Sequence, residues 1–213
     1  MTEAEWRTTE HPRAMLGFLE QAGKLTDRKA RFLSVACCHR IRQHLMDERL
    51  RRGLQAAEAF ADGDVTARQM GAAFSAVLDA CMAGSGSFRA DRAAPAVAAV
   101  YWAVYVPPVP EECLEEAAQA ADPVAEAQAQ IALLRFIFGN PFRPVVIPPT
   151  WRTPAVLDLA RLIYDEKKFE SMPVLGMALS DAGCTDAAVL GHCVAETPHV
   201  RGCHVLDLIL GRE

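Results

Sequence analysis

Thiols and imidazoles concentrate near the C-terminal end of the chain. They occur in three short stretches, Gly191-His192-Cys193, Pro198-His199 and Gly202-Cys203-His204. Thiolate and imidazole are the commonest zinc ligands, and a structural zinc site takes four of them in a tetrahedral arrangement. A loop separates Cys193, His199 and Cys203, so these three side chains are free to converge. The sequence therefore predicts them as candidate ligands of a zinc ion.

The fourth ligand of such a site is not evident nearby. Cys184 and His192 lie near opposite ends of one predicted helix, which separates them by about 12 Å at 1.5 Å per residue. Cys184 therefore cannot share one ion with His192, and the fourth ligand would come from Cys37, Cys38 or His39. No C-x-x-C pair is present. The alternative is that these cysteines are structural core residues, because a free cysteine behaves as a small hydrophobe.

The same residues also permit a nucleophilic site. Cys203 is predicted at the start of a helix, where the helix dipole lowers the pKa of a thiol. His199 or His204 would act as the base that removes the thiol proton. A cysteine-dependent hydrolase is therefore a third hypothesis, although no family-specific catalytic signature surrounds these residues.

A second region of interest, residues 139–152, is rich in proline, aromatic residues and arginine. Its prolines forbid a regular helix and favour an extended course. Val145, Val146 and Ile147 are expected to anchor it against the helices. The aromatic and arginine side chains are types that dominate binding hot spots, so the candidate partner-binding residues are Phe142, Arg143, Trp151 and Arg152. The alternative is a structural strap with its aromatic side chains in the core.

Composition is that of an ordinary globular protein. The chain has 213 residues, of which 51% are hydrophobic and 23% charged, and these values argue against disorder. The net charge of −5 gives no reason to expect nucleic acid as a partner. Basic residues concentrate in 24–52 and acidic residues in 110–126, which we interpret as solvated helix faces. A basic surface for phosphate or nucleic acid is the alternative for residues 24–52.

The sequence favours a cytoplasmic location without membrane attachment. The N-terminal residues are acidic and lack the apolar stretch of a secretion signal. The most apolar run, 93–109, is interrupted by Pro95 and is shorter than the ~20 residues that span a bilayer. The seven cysteines are an odd number, and without a secretion signal we expect them to be reduced thiols.

Helix signals recur along the whole chain, and period-two alternation is absent. The predicted fold class is therefore all-α, an irregular bundle of about nine to ten helices, with the short C-terminal helices packed as stacked hairpins. Residues 95–106 are apolar nearly all round, which predicts a buried helix, with a strand as the competing interpretation. We expect a single helical domain over 1–213, with Gly84–Ser87 as a possible subdomain boundary because its composition is flexible.

Four strings in the C-terminal third carry a resemblance. They are Phe138-Gly139-Asn140-Pro141-Phe142-Arg143-Pro144, Tyr164-Asp165-Glu166, Asp181-Ala182-Gly183-Cys184 and Pro198-His199-Val200-Arg201-Gly202-Cys203. They resemble an uncharacterised family of bacterial proteins that share such a C-terminal region. The resemblance covers about residues 135–213, with a weaker similarity around Ala36-Cys37-Cys38, and it implies no activity.

The motifs of common enzyme classes are absent. The chain has no glycine-rich phosphate loop, nucleophile-elbow serine, zinc-protease helix motif or deaminase pairing. The leading hypothesis is therefore a non-enzymatic helical module that binds another protein or a regulatory partner. A zinc-binding protein is the alternative, and no other cofactor is expected.

Overall fold

The computed structural model describes residues 1–83, 93–195 and 200–212. Within these ranges 73% of the residues are helical and none forms a strand, which confirms the all-α class. The predicted number of helices was slightly low, because twelve α-helices occur in the described residues. They are α1 (Glu3–Thr8), α2 (Pro12–Gln21), α3 (Asp27–Arg40), α4 (Glu48–Ala61), α5 (Ala67–Ala83), α6 (Ala93–Val104), α7 (Pro110–Ala120), α8 (Pro123–Phe138), α9 (Pro154–Glu166), α10 (Met172–Asp181), α11 (Ala187–Cys193) and α12 (His204–Leu210).

Side-chain caps begin several helices. The Thr26 hydroxyl accepts a hydrogen bond from a first-turn backbone N–H of α3, and Thr153 does the same for α9. The Asp186 carboxylate accepts two such bonds at the start of α11. Each cap pairs a backbone N–H that has no partner within its own helix.

Helix α1 was not predicted, although its signal is present in the sequence. Thr2 and Glu5 form a capping box, in which each side chain accepts a hydrogen bond from the backbone N–H of the other residue. Trp6 is buried, and its ring centroid lies 6.1 Å from that of Phe18 on α2. The helix is short and is held by this aromatic contact.

The chain divides into two compact units, Met1–Leu134 and Arg135–Glu213. The division falls inside α8. The possible boundary at Gly84–Ser87 lies outside the described residues, and the helices on either side of it, α5 and α6, belong to the same unit. The single-domain organisation stays a prediction.

Helix α6 is the central element of the first unit and packs against α3, α4, α5 and α7. Its residues Ala99, Val100 and Val104 are fully buried, so the helix interpretation of this apolar run is confirmed over the strand. Gly53 of α4 makes this packing possible. A Cβ atom at Gly53 would lie 2.4 Å from a methyl carbon of Val77 on α5 and 3.4 Å from one of Val104.

Two buried charged side chains of the first unit pair with groups inside that unit. Arg31 is 2% exposed and donates hydrogen bonds to the carbonyl oxygens of Ala103 and Tyr105, at 3.1 and 3.0 Å. It therefore pairs carbonyls at the C-terminal end of α6 that the helix itself leaves unpaired. Arg40 donates from Nε to the buried carboxylate of Glu126 at 2.8 Å.

The second unit packs around α9, which contacts both α10 and α12, and α10 in turn contacts α11. Gly176 lets α10 and α11 approach closely, because a Cβ at this position would lie 3.0 Å from the Cβ of Cys193. Tyr164 is fully buried in α9, with the guanidinium carbons of Arg201 and Arg212 at 5.2 and 4.5 Å from its ring centroid. These cation–π contacts tie both ends of the 201–212 stretch to α9.

None of the helices in the described residues combines the length and the apolar composition needed to cross a lipid bilayer.

Candidate functional site

A histidine–cysteine pair joins α11 to the start of α12 in the second unit. The Nε2 atom of His192 lies 3.0 Å from the Sγ atom of Cys203, which is a hydrogen-bonding distance. His192 is the penultimate residue of α11, and Cys203 is the N-cap residue of α12. The phenyl ring of Phe136 lies against the imidazole of His192, with ring centroids 4.5 Å apart.

His204, the first residue of α12, extends this cluster. Its ring centroid lies 4.4 Å from that of His192, and its Nδ1 atom lies 2.7 Å from the carbonyl oxygen of Phe136. Because a carbonyl oxygen only accepts, Nδ1 carries the proton of this bond. Gly139 provides the space for the ring: a Cβ there would lie 2.9 Å from the Cδ2 atom of His204.

The electrostatics of Cys203 oppose nucleophilic chemistry. The side chain is fully buried, and burial raises the pKa of its thiol well above the usual value. Backbone N–H groups at the start of α12 act in the opposite direction but do not outweigh the desolvation. The expected lowering of the Cys203 pKa by the helix dipole was therefore wrong.

The predicted zinc ligands are only partly brought together. Cys193 is buried beside Gly176, burial raises the pKa of its thiol to about 12, and His199 lies outside the described residues. Across 1–83, 93–195 and 200–212, no group of three or more His, Cys, Asp or Glu side chains is placed to hold a metal ion. Cys37 and Cys38 are core residues of the first unit, where the Cys38 Sγ atom lies 3.7 Å from that of Cys113.

The 139–152 segment is held by a turn at each end. Gly139 ends α8 with a φ of 65°, a left-handed conformation that glycine adopts at low cost. The Asn140 side chain then accepts a hydrogen bond from the backbone N–H of Phe142 at 3.0 Å, which forms an Asx turn. At the other end, residues Pro149–Trp151 form one 3-10 turn before the Thr153 cap of α9.

Between these turns the chain has no regular structure and no backbone pairing. No backbone hydrogen bond within the described chain involves Val145, Val146 or Ile147. The side chain of Ile147 is 9% exposed and that of Val146 is 73% exposed. Ile147 therefore anchors the segment as expected, whereas the expected anchoring role of Val146 was wrong.

The four predicted binding residues fall into different environments. Arg143 is exposed, whereas Phe142 and Trp151 are half-buried. Arg152 is also half-buried and donates from Nη2 to the carbonyl oxygen of Leu208, near the C-terminal end of α12. Arg152 is thus committed to internal structure, and the exposed residues of the segment are Arg143, Pro144, Val146, Pro149 and Thr150.

Two features of these sites were missed from the sequence. His192 and Cys203 lie on different helices, so no fixed spacing relates them. The exposure of Val146 beside the buried Ile147 follows the two-residue alternation of extended chain, and this signal was present in the valine–valine–isoleucine run. The flanking prolines predicted an extended segment but did not predict which of its side chains are exposed.

Comparison of the chain with models of known families, with characterised proteins and with solved structures finds no match. The resemblance to an uncharacterised bacterial family stays a prediction.

Proposed function

We propose that this chain is a non-enzymatic protein-binding module and that residues Arg143–Pro149 bind the partner. The observation that carries this proposal is the run Val145–Ile147, whose backbone groups have no hydrogen-bond partner in the described chain. The side chain of Val146, the middle residue of this run, is exposed.

The segment has the properties of a β-strand that is not paired with another strand. Prolines at 144, 148 and 149 bias the residues before them towards extended backbone, and β-branched valine and isoleucine favour the same region. A preformed extended chain loses less conformational entropy on binding. Its chemistry fits the open edge of a β-sheet in another protein, where main-chain hydrogen bonds supply affinity and alternate side chains supply specificity.

The prolines limit the number of residues that can donate backbone hydrogen bonds to a partner strand. Pro144 and Pro148 lack a backbone N–H, so strand pairing through donors is confined to Val145, Val146 and Ile147. Ile147 is buried, while the exposed Val146 is available to fill a partner pocket. The exposed Arg143 adds a charged contact at the start of the strand.

Site-specific photocrosslinking tests this proposal. A benzophenone amino acid at position 146 of the full chain, irradiated in an extract of the source cells, is expected to give one dominant adduct. The same probe at Met46, which is 81% exposed in the first unit, is the control. Equal adduct patterns from the two positions would remove the proposal.

A zinc-binding function is the second candidate. It is supported by the 3.0 Å approach of His192 Nε2 to Cys203 Sγ and by the bond from His204 Nδ1 to a backbone carbonyl. Metal-ligating histidines characteristically donate their other ring N–H in this manner. Elemental analysis of the purified protein tests it: stoichiometric zinc that is lost in Cys203→Ser and kept in Cys81→Ser supports the site, and a metal-free protein removes it.

A further inference from the structure

Two cysteines of the first unit meet across the interface between α3 and α7. Cys38 belongs to the last turn of α3, and Cys113 belongs to the first turn of α7. The Sγ atom of Cys38 lies 3.7 Å from that of Cys113, and both side chains are fully buried. The two sulfur atoms are therefore in direct contact within the core of the unit.

A second hydrogen bond fixes the direction of the Cys113 thiol. Its Sγ atom donates to the carbonyl oxygen of Ser34 at 3.6 Å. Ser34 lies four residues before Cys38, so the two residues share one face of α3. Because the single thiol proton of Cys113 is used in the bond to Ser34, Cys38 is the donor in the bond between the two sulfur atoms. Both thiols are therefore directed into the same gap between the two helices.

The distance between the two sulfur atoms is short enough for a disulfide bond to close. An S–S bond is about 2.04 Å long, so each sulfur has to move by only about 0.8 Å. Small rotations about the Cα–Cβ bonds of the two cysteines can supply this movement. The neighbouring Cys37 is also buried, but its side chain is directed about 100° away from that of Cys38 around the helix axis. The geometry therefore favours Cys38 as the partner of Cys113.

We infer that Cys38 and Cys113 are a redox pair that closes into an intramolecular disulfide under oxidising conditions and thereby fixes α3 to α7. The oxidant is a low-molecular-weight disulfide such as oxidised glutathione. The thiolate of Cys38 attacks this disulfide, forms a mixed disulfide and releases one glutathione thiol. The thiolate of Cys113 then attacks the Cys38 sulfur and releases the second glutathione thiol. The protein loses two protons and two electrons, and the two glutathione thiols carry them away.

Opening of the packed core controls how fast this pair closes. Burial raises the pKa of the Cys38 thiol well above its usual value, so the reactive thiolate is scarce in the folded state. The exchange therefore proceeds while α7 is transiently separated from α3. Once formed, the disulfide prevents the same separation, so oxidation stabilises the first unit.

The disulfide should raise stability because it joins residues that are 75 positions apart in the chain. A cross-link over so long a loop removes much of the conformational freedom of the unfolded chain. The urea midpoint of the oxidised protein should therefore exceed that of the reduced protein by about 1–2 M.

Refolding in defined redox buffers tests the inference. The full chain is unfolded in urea and refolded with either reduced or oxidised glutathione, so that the buried thiols can reach the oxidant. The remaining thiols are then alkylated, and peptide mass spectrometry identifies the linked peptides. We expect one dominant disulfide, between Cys113 and the peptide that contains Cys38, in the oxidised sample alone. The urea midpoint should rise with it and fall again after reduction with dithiothreitol.

Two alanine variants assign the disulfide to one of the adjacent cysteines. Cys37 and Cys38 fall in the same tryptic peptide, residues 32–40, so the peptide mass alone does not separate them. Cys38→Ala should lose both the disulfide and the midpoint shift. Cys37→Ala is the matched control at an equally buried position and should keep both. Circular dichroism verifies that each variant folds.

Three results would overturn the inference. They are refolding in oxidised glutathione without this disulfide, a disulfide that persists in Cys38→Ala, and a disulfide that leaves the urea midpoint unchanged. The first and third are measured on the unmodified chain, so they decide the matter even where a variant does not fold. None of these results bears on residues 143–149, which belong to the other unit.

Discussion

His192 and Cys203 come within hydrogen-bonding distance although they belong to different helices, with 3.0 Å between Nε2 and Sγ. The contact ties the C-terminal end of α11 to the first turn of α12. Because burial raises the pKa of Cys203, its thiol is neutral at physiological pH. The pair is therefore a structural hydrogen bond in the metal-free protein.

Thiol labelling separates this structural role from a nucleophilic one. In the native protein iodoacetamide should modify Cys81 first, because it is half-buried whereas the other six cysteines are buried. Cys203 should react only after unfolding in urea. Peptide mass spectrometry measures both rates, and native modification of Cys203 as fast as that of Cys81 would restore the hydrolase hypothesis.

Gly139 is expected to be intolerant of a side chain. Gly139→Ala places a methyl group 2.9 Å from the His204 ring and also strains a backbone φ of 65°. Gly183→Ala is the control: its φ is 88°, but nothing lies within 4 Å of the added Cβ. Urea unfolding should show Gly139→Ala to be less stable than Gly183→Ala by about 1–3 kcal/mol, the usual cost of overpacking. Equal losses would mean that the His204 contact has no energetic role.

The two arginines of the 139–152 segment should differ in their effect on stability. Arg152→Ala removes a charged hydrogen bond to the Leu208 carbonyl and should lower the free energy of unfolding by about 1.5–3 kcal/mol. Arg143→Ala changes an exposed residue, whose polar contacts solvent screens, and should alter the free energy of unfolding by less than about 1 kcal/mol. Chemical denaturation measures both, and a reversed order would place Arg143 rather than Arg152 in the internal structure.

Stability should depend on pH through Glu126. Burial raises the pKa of this carboxyl above its usual value of 4.5, despite the hydrogen bond from Arg40. The folded state therefore holds this proton at pH values where the unfolded state has lost it, so stability falls as pH rises through that window. Glu126→Gln lacks this effect, and its stability relative to the unmodified chain should increase as pH rises above 4.5. Unfolding titrations at several pH values check this, and a pH-independent difference would contradict it.

Local signals were sufficient to predict the helical class. Thr26, Thr153 and Asp186 each carry a cap that depends only on residues within one turn. Helix α1 shows that the same signal is easily overlooked when it stands at a chain end. The all-α class was therefore predictable from local sequence signals.

Contacts between helices were not readable in the same way. Two contacts depend on how the helices pack: Cys203 lies against His192, and Gly139 lies against His204. Helix packing cannot be derived from the pattern of a single sequence. The apolar run 95–106 was correctly predicted as a helix, but its aromatic residues are only half-buried. The hydrophobic composition of this run predicted a buried helix, but it did not predict which sides of the helix other elements would cover.

The most direct test of the binding function is a titration of the purified crosslinked partner against two variants of one residue. Val146→Pro removes a backbone N–H and keeps an extended conformation, whereas Val146→Ala keeps the N–H and shortens the side chain. Isothermal calorimetry should show a loss of at least tenfold in affinity for Val146→Pro and a smaller loss for Val146→Ala, because strand addition depends on main-chain hydrogen bonds. Unchanged affinity in both variants would contradict the account.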